Sequence, residues 1–203
     1  SLVSHQNPEF VIQPRWWVDQ ERVGAAFADP LPPGVLCYKD VTSPTNERTM
    51  IAAFIPPSAV VNSAPLVILQ NGITWRLRCC LLANLNSFAL DFVARQKVGG
   101  VHLNFFIVEE LPVLHSDAYA ERCPWKPAQT LERWISDRVL KLTCTANDLL
   151  PLAEAAGFKD GVHKWKPDER AQLKAELDAA YFRLYGISRD DAEYILSTFS
   201  GTQ

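Results

Sequence analysis

Glycine is sparse in this sequence, nine residues in 203. Nowhere do these glycines form the Gly-rich turn after a strand that holds a dinucleotide or S-adenosylmethionine. Gly99-Gly100 is too short for either. The five cysteines (Cys37, Cys79, Cys80, Cys123, Cys144) are odd in number and irregularly spaced, which excludes a regular disulfide framework. Neither C-x-x-C nor H-x-x-x-H occurs, so a structural zinc site has no ligand pattern to stand on. That cysteine usage points to a reducing, cytoplasmic compartment. No apolar run reaches the ~20 residues of a membrane span, and no membrane partner is expected. The formal net charge of −3 excludes a histone-like basic protein. Ser87, Ser136 and Ser188 lack G-x-S-x-G surroundings, so no hydrolase elbow is present. Asp168, Lys174 and Glu176 offer the residue types of a magnesium nuclease, but on one expected helix, where salt-bridged surface accounts for them. The opening Ser1-Leu2-Val3-Ser4 is neither a start Met nor a signal peptide. The chain reads as a piece of a longer protein with no catalytic, cofactor-binding or metal-binding residues of its own.

What is there is a full-sized hydrophobic complement, 48% of the residues, and a change of character near the middle. Residues 1–112 read as short strands around one long helix. Expected strands are Phe10 to Val18, interrupted at Pro14, then Val35–Val41, Arg48–Ile55 and Val101–Val108. Pro65–Gln70 is nearly all apolar, which predicts a strand central in its sheet. Asp19 is placed to cap a short helix through Phe27. Trp75 to Arg95 carries Leu77, Leu81, Leu85, Phe88 and Phe92 at helical spacing and predicts one long buried helix. Residues 113–203 read as helical. Expected helices run Leu131–Asn147, then Asp148–Ala156 after a kink near Pro151, Pro167 to about Tyr185, and Arg189–Phe199. Gly186 is a plausible C′ glycine, and Ser188-x-x-Asp191 resembles a capping box. The expected fold class is therefore α+β: a mixed sheet with a long buried helix, followed by a helical C-terminal segment. The expected division is a core of 1–112 and a helical segment of 113–203.

Charge follows the same division. Residues 1–108 hold 8 Lys/Arg and 7 Asp/Glu, whereas residues 109–203 hold 12 and 16. Between Gly72 and Phe105 the bases Arg76, Arg78, Arg95 and Lys97 face one acid, Asp91. Arg95-Gln96-Lys97-Val98-Gly99-Gly100 is the best placed binding segment. Arginine can pair bidentately with guanine, glutamine with adenine, and lysine can take a phosphate. Two glycines permit close backbone approach. The alternative is a helix C-terminus whose bases complement its dipole. Asn46-Glu47-Arg48-Thr49 is the second candidate, with Arg48 either a reading side chain or the partner of a buried acid. Trp16 and Trp17 beside Arg15 could stack on bases or pack in the core.

Several segments taken in order resemble a known family. Asn46-Glu47-Arg48-Thr49-Met50-Ile51-Ala52-Ala53-Phe54-Ile55-Pro56 is similar to the "NERTMIAA-hydrophobic-P" segment of large bacterial adenine-specific DNA methyltransferases. So is Leu85 through Gly100, continuing through Leu103-Asn104-Phe105-Phe106 to Leu111-Pro112. Glu176 through Asp191, with Tyr194 to Phe199, resembles their closing segment. These are S-adenosylmethionine-dependent enzymes of type IIG restriction-modification and BREX-like phage-defence systems. The matching part is their C-terminal target-recognition region, which is also like that of TaqI-like methyltransferases and type I specificity subunits. The missing motifs agree. Asn7-Pro8-Glu9-Phe10 departs from the Asn-Pro-Pro-Tyr loop by Glu9 and follows no strand, and that loop and the cofactor loop belong to the family's N-terminal domain.

The resemblance implies a bacterial cytoplasmic protein that binds double-stranded DNA and positions adenine for N6 methylation. Catalysis and S-adenosylmethionine would then belong to an N-terminal methyltransferase domain of the same polypeptide. The residues expected to contact DNA, chosen from their chemistry, are Arg48, Arg95, Gln96, Lys97, Asn46 and, less directly, Arg76 and Arg78. The alternative is a protein-interaction module docking a methylase catalytic domain or a nuclease or translocase partner, for which an apolar patch on the C-terminal helices would speak.

Overall fold

The computed structural model describes residues 4, 6–13, 17–27, 31–70 and 72–199. Three short strands form one sheet: β1 (Val35–Tyr38), β2 (Ala52–Ile55) and β3 (Leu66–Val67). All four residues of β1 are buried, as befits the central strand in the order β2-β1-β3. Both pairings are antiparallel, with Leu36 opposite Phe54 on one side and Val67 on the other. The class is α+β. The sheet, expected to be mixed, is wholly antiparallel. The expected central strand 65–70 is instead a two-residue edge, and Ile68 just beyond it is 78% exposed. An apolar run alone cannot distinguish a central strand from an edge that leaves the sheet early.

The described residues also form eight α-helices. They are α1 (Gln20–Ala26), α2 (Trp75–Leu85), α3 (Phe88–Lys97), α4 (Phe105–Glu109), α5 (Leu131–Thr143), α6 (Leu150–Ala155), α7 (Pro167–Leu184) and α8 (Arg189–Ser197). Asp19 holds the N-cap position of α1, but its side chain makes no cap hydrogen bond. Residues 10–13 and 17–18 form no strand, and the rest of that expected strand, with Arg15 and Trp16, lies outside the described residues. Pro151 starts α6 rather than kinking a longer helix, because its missing N–H costs nothing in a first turn. Gly186, at φ +67°, ends α7 as expected. Ile187 N–H donates to Phe182 O at 2.9 Å and Gly186 N–H to Arg183 O at 3.0 Å, a Schellman closure. Ser188 Oγ then caps α8 by accepting from Asp191 N at 3.2 Å.

The expected long helix is two helices, α2 and α3, bent by 58° at Asn86-Ser87. Local chemistry makes the break. The Asn86 amide donates to Leu82 O at 3.1 Å and to Ala52 O at 3.0 Å, and its oxygen accepts from Ala52 N at 2.9 Å. Ser87 Oγ caps the second helix by accepting from Leu90 N at 3.3 Å. Asn86 thereby ties the bend to β2, and apolar periodicity simply continues across it. Among the described residues no single helix is long and apolar enough to cross a membrane.

The expected strand 101–108 is also replaced. His102 makes one bridge to Val41, and the chain then turns into α4. Leu103 and Ile107 are buried while Phe105 and Phe106 between them are exposed, an i,i+4 pattern rather than alternation.

One hydrophobic core runs through both halves of the sequence, from Leu36 and Phe54 through Cys80 and Leu90 to Leu140, Leu152 and Tyr181. A smaller cluster of Ala89, Phe182, Ile195 and Phe199 joins α3, α7 and α8. Residues 1–112 and 113–203, separated in the sequence reading, thus share their principal core. The five cysteines are free and buried, with Cys79, Cys80, Cys123 and Cys144 in that core.

Candidate functional site

The polar loop between β1 and β2 carries Asn46-Glu47-Arg48-Thr49, and α3 and α7 fasten it. Arg48 Nη1 donates to Asn86 O at 3.2 Å, and Nη2 to Asp178 Oδ2 at 3.1 Å. Its guanidinium lies 3.2 Å from the centre of the Phe88 ring. The other Asp178 oxygen accepts from Phe88 N at 2.8 Å. Burial pushes the Asp178 carboxyl above its ordinary range, against the pull of Arg48.

Asp91, fully buried in α3, accepts from Thr49 N at 3.1 Å and from Met50 N at 2.8 Å. Burial raises this carboxyl too, opposed by those backbone donors and by Arg48 and Arg95. Arg95 donates from Nη2 to the carbonyls of Asn46 and Glu47, and from Nη1 to Thr198 O at 3.1 Å. It also stacks 3.7 Å over Phe199. The three segments that carry the family resemblance therefore meet here, and they do so through their own charged side chains.

This geometry separates the expected DNA contacts into two groups. Arg48 and Arg95 are internal fasteners, their donors turned to carbonyls and to Asp178. Arg76 is likewise engaged, with Ser136 Oγ at 2.6 Å and Asp137 at 2.7 Å. Arg78 donates from Nε to Ile73 O at 3.2 Å and lies 4.6 Å over Trp75. The Asn46 amide reaches Thr42 Oγ1 at 3.5 Å. Gln96 and Lys97 remain at the surface. Gln96 makes no side-chain hydrogen bond among the described residues, and Lys97 pairs with the exposed Glu110 at 2.7 Å.

Gly99 and Gly100 follow in the same exposed strip. Neither adopts a left-handed backbone, and a Cβ at either would meet nothing within 4 Å. The fold itself therefore gives no reason for glycine at either position. The C-terminal helices, by contrast, expose one large apolar side chain, Tyr194.

A second feature, invisible to the sequence reading, lies beside the strip. The end of β1 and the segment 60–66 form one wall of an open groove of about 390 Å³. Tyr38 N donates to Pro65 O at 3.1 Å and Asp40 N to Ser63 O at 3.0 Å, which holds that wall together. The opposite wall is Asn104 and Phe105, fixed by Leu103 N donating to Asp40 O at 2.8 Å. Tyr38 and Asp40 line the groove, and Asp40 Oδ2 sits 2.7 Å from His102 Nδ1. The Tyr38 hydroxyl is buried with no hydrogen-bond partner among the described residues. Burial and the negative charges of Asp40 and Glu109 raise the Tyr38 hydroxyl above its usual range. The sequence sign of this place is the pair Phe105-Phe106, read there as part of the strand 101–108.

No group of three or more metal-ligating side chains gathers among the described residues. Comparison of the chain with protein-family models, curated proteins and solved structures gives no match.

Proposed function

We propose that the chain is the target-recognition region of an S-adenosylmethionine-dependent N6-adenine DNA methyltransferase of a restriction-modification or phage-defence system. It would bind duplex DNA and present the target adenine to a catalytic domain outside these residues. The observation that carries the reading is the meeting of segments 46–56, 85–112 and 176–199 around Arg48, Asp91, Arg95 and Asp178. The segments similar to those methyltransferases form one physical unit, as parts of a common scaffold should. That unit leaves Gln96, Lys97, Gly99 and Gly100 to solvent. In this reading the glycine backbone lies against phosphates, Lys97 adds charge, and Gln96 is within reach of a base edge.

A fluorescence-anisotropy titration with labelled duplex DNA tests the reading. Binding should weaken with salt, and Lys97→Ala should reduce the slope of log K against log salt by about one. Absence of duplex binding at low salt, both by the chain and by the chain joined to its methyltransferase domain, would refute it.

The docking alternative keeps one specific support. Val11, Ile12, Trp17 and Val18 are all more than half exposed, an apolar stretch suited to a catalytic-domain face. It lies in the N-terminal segment rather than on the C-terminal helices, and it is compatible with DNA recognition.

A further inference from the structure

The groove beside the glycine strip has the makings of a site for one planar, hydrogen-bonding ligand. Phe105 is 65% exposed, so a ring face is offered to solvent at the groove's edge. Asn62 and Asn104 are exposed and make no side-chain hydrogen bond among the described residues; Asn104 stands at the N-cap of α4 without capping it. Asp40, with one oxygen held by His102, keeps the other as an acceptor. Tyr38 is 3% exposed, and its hydroxyl lacks the partner that buried hydroxyls normally find. Both walls are pinned by backbone hydrogen bonds, so the groove is formed before any ligand arrives.

We infer that this groove receives a single unstacked nucleobase bearing an exocyclic amine, adenine, cytosine or guanine as against thymine, stacked on Phe105 and read by Asp40 with an asparagine amide. The inference rests on the DNA-recognition reading and adds to it a base-binding site. An ionised carboxylate accepts hydrogen bonds only. It suits the N6 amine of adenine, the N4 amine of cytosine or the N2 amine of guanine. An asparagine N–H can donate to an acceptor ring nitrogen beside that amine. Thymine has no amine, and its one ring N–H lies between two carbonyls that would face the Asp40 carboxylate as opposed acceptors, so the same groups that favour the amine-bearing bases disfavour it. A volume of about 390 Å³ is on the scale of one nucleotide. Aromatic stacking on the ring face holds any base, and the carboxylate and amides choose among them.

The test is the affinity of the chain for four labelled duplexes that differ at one position. One is fully paired, and the others carry a single extrahelical adenine, cytosine or thymine. The expected result is about tenfold tighter binding of the adenine and cytosine bulges than of the thymine bulge, the discrimination of one good hydrogen-bonded pair. Phe105→Ala, at an exposed position, should remove the bulge preference and leave the fully paired duplex unaffected. Asp40→Asn, which can donate as well as accept, should turn the preference toward thymine, which mere structural damage would not do. Equal affinity for the three bulges, or a preference that survives both Phe105→Ala and Asp40→Asn, would overturn the inference. If the paired duplex still binds in that case, only the groove fails. If no duplex binds at all, the groove and the DNA-recognition reading fail together.

Discussion

Replacing Gly100 by alanine should move stability and DNA binding in opposite directions. The position is exposed, its backbone is not left-handed, and an added Cβ meets nothing within 4 Å. Alanine there restricts the unfolded chain more than the folded one and should stabilise the protein by about 0.4–1 kcal/mol. For a domain of this size that is a rise of roughly 1–4 °C in Tm. If the strip lies against a phosphate, the same methyl group pushes the backbone away from it. Loss of one hydrogen bond to a charged oxygen costs about 1.5–3 kcal/mol. That weakens DNA binding about ten- to hundredfold. Thermal unfolding and anisotropy titration on the same preparation measure both quantities, and Gly99→Ala repeats the test one residue away. A more stable Gly100→Ala protein with unchanged DNA affinity would refute the reasoning, because the glycine would then serve neither fold nor ligand. A less stable protein would refute the premise of open space.

Arg48→Ala should act on the fold. It leaves Asp178 buried beside Phe88 without its cation, a loss of about 3 kcal/mol in urea unfolding; a change in DNA specificity with stability intact would restore Arg48 as a reading residue. Ser87→Ala should cost about 1 kcal/mol by removing the cap of α3. Asn86→Ala should cost more, about 2 kcal/mol, because it strips both polar groups of Ala52 of their partner; equal effects of the two substitutions would argue against Asn86 as the tie to β2. Asp91 and Asp178 hold their protons more tightly folded than unfolded, both carboxyls standing above the ordinary 3.8. The folded state therefore binds more protons just above that pH, and their contribution to stability improves as pH falls into that window and is lost as pH rises through the folded values. Glu176, lowered by its partners Gln172 and Arg138 against the opposing effect of burial, behaves oppositely and loses its contribution as pH falls. The stability difference between the wild type and Asp178→Asn, followed from pH 7 toward pH 4, should shift in favour of the wild type; the reverse trend would contradict the burial assigned to Asp178.

The helical second half was largely legible in the sequence. Its boundaries are written in local chemistry: Pro167 in a first turn, Gly186 at a left-handed position, Ser188 as a cap. The class was legible as well, through strands in the first half and helices in the second. The bend at Asn86 was not, although Ser87 is a good N-cap residue, because the apolar stripe runs on through it. The bend depends on the Asn86 side chain meeting β2, a contact across more than thirty residues. The turn into α4 was missed for a related reason. Val101 to Val108 is apolar by composition, and only burial shows that Leu103 and Ile107 face inward together. Charge misled most. The Arg95 side chain looks the same in a sequence whether it faces a phosphate or Asn46 O, and only the fold shows that its donors turn inward. The groove of Tyr38, Asp40, Asn62, Asn104 and Phe105 draws on three separate stretches of chain, and no spacing rule links them.

The placement of the cysteines has a practical consequence. All five are buried, and desolvation lifts the thiols of Cys37, Cys79, Cys80 and Cys144 above their ordinary range, which leaves little thiolate at neutral pH. With all five thiols buried, the folded molecule is expected to react slowly with alkylating reagents. A single cysteine placed on its surface, for instance at Gln96, would be its one reactive thiol. A dye, a spin label or a cross-linker could be attached there without first stripping the native sulfurs from the core.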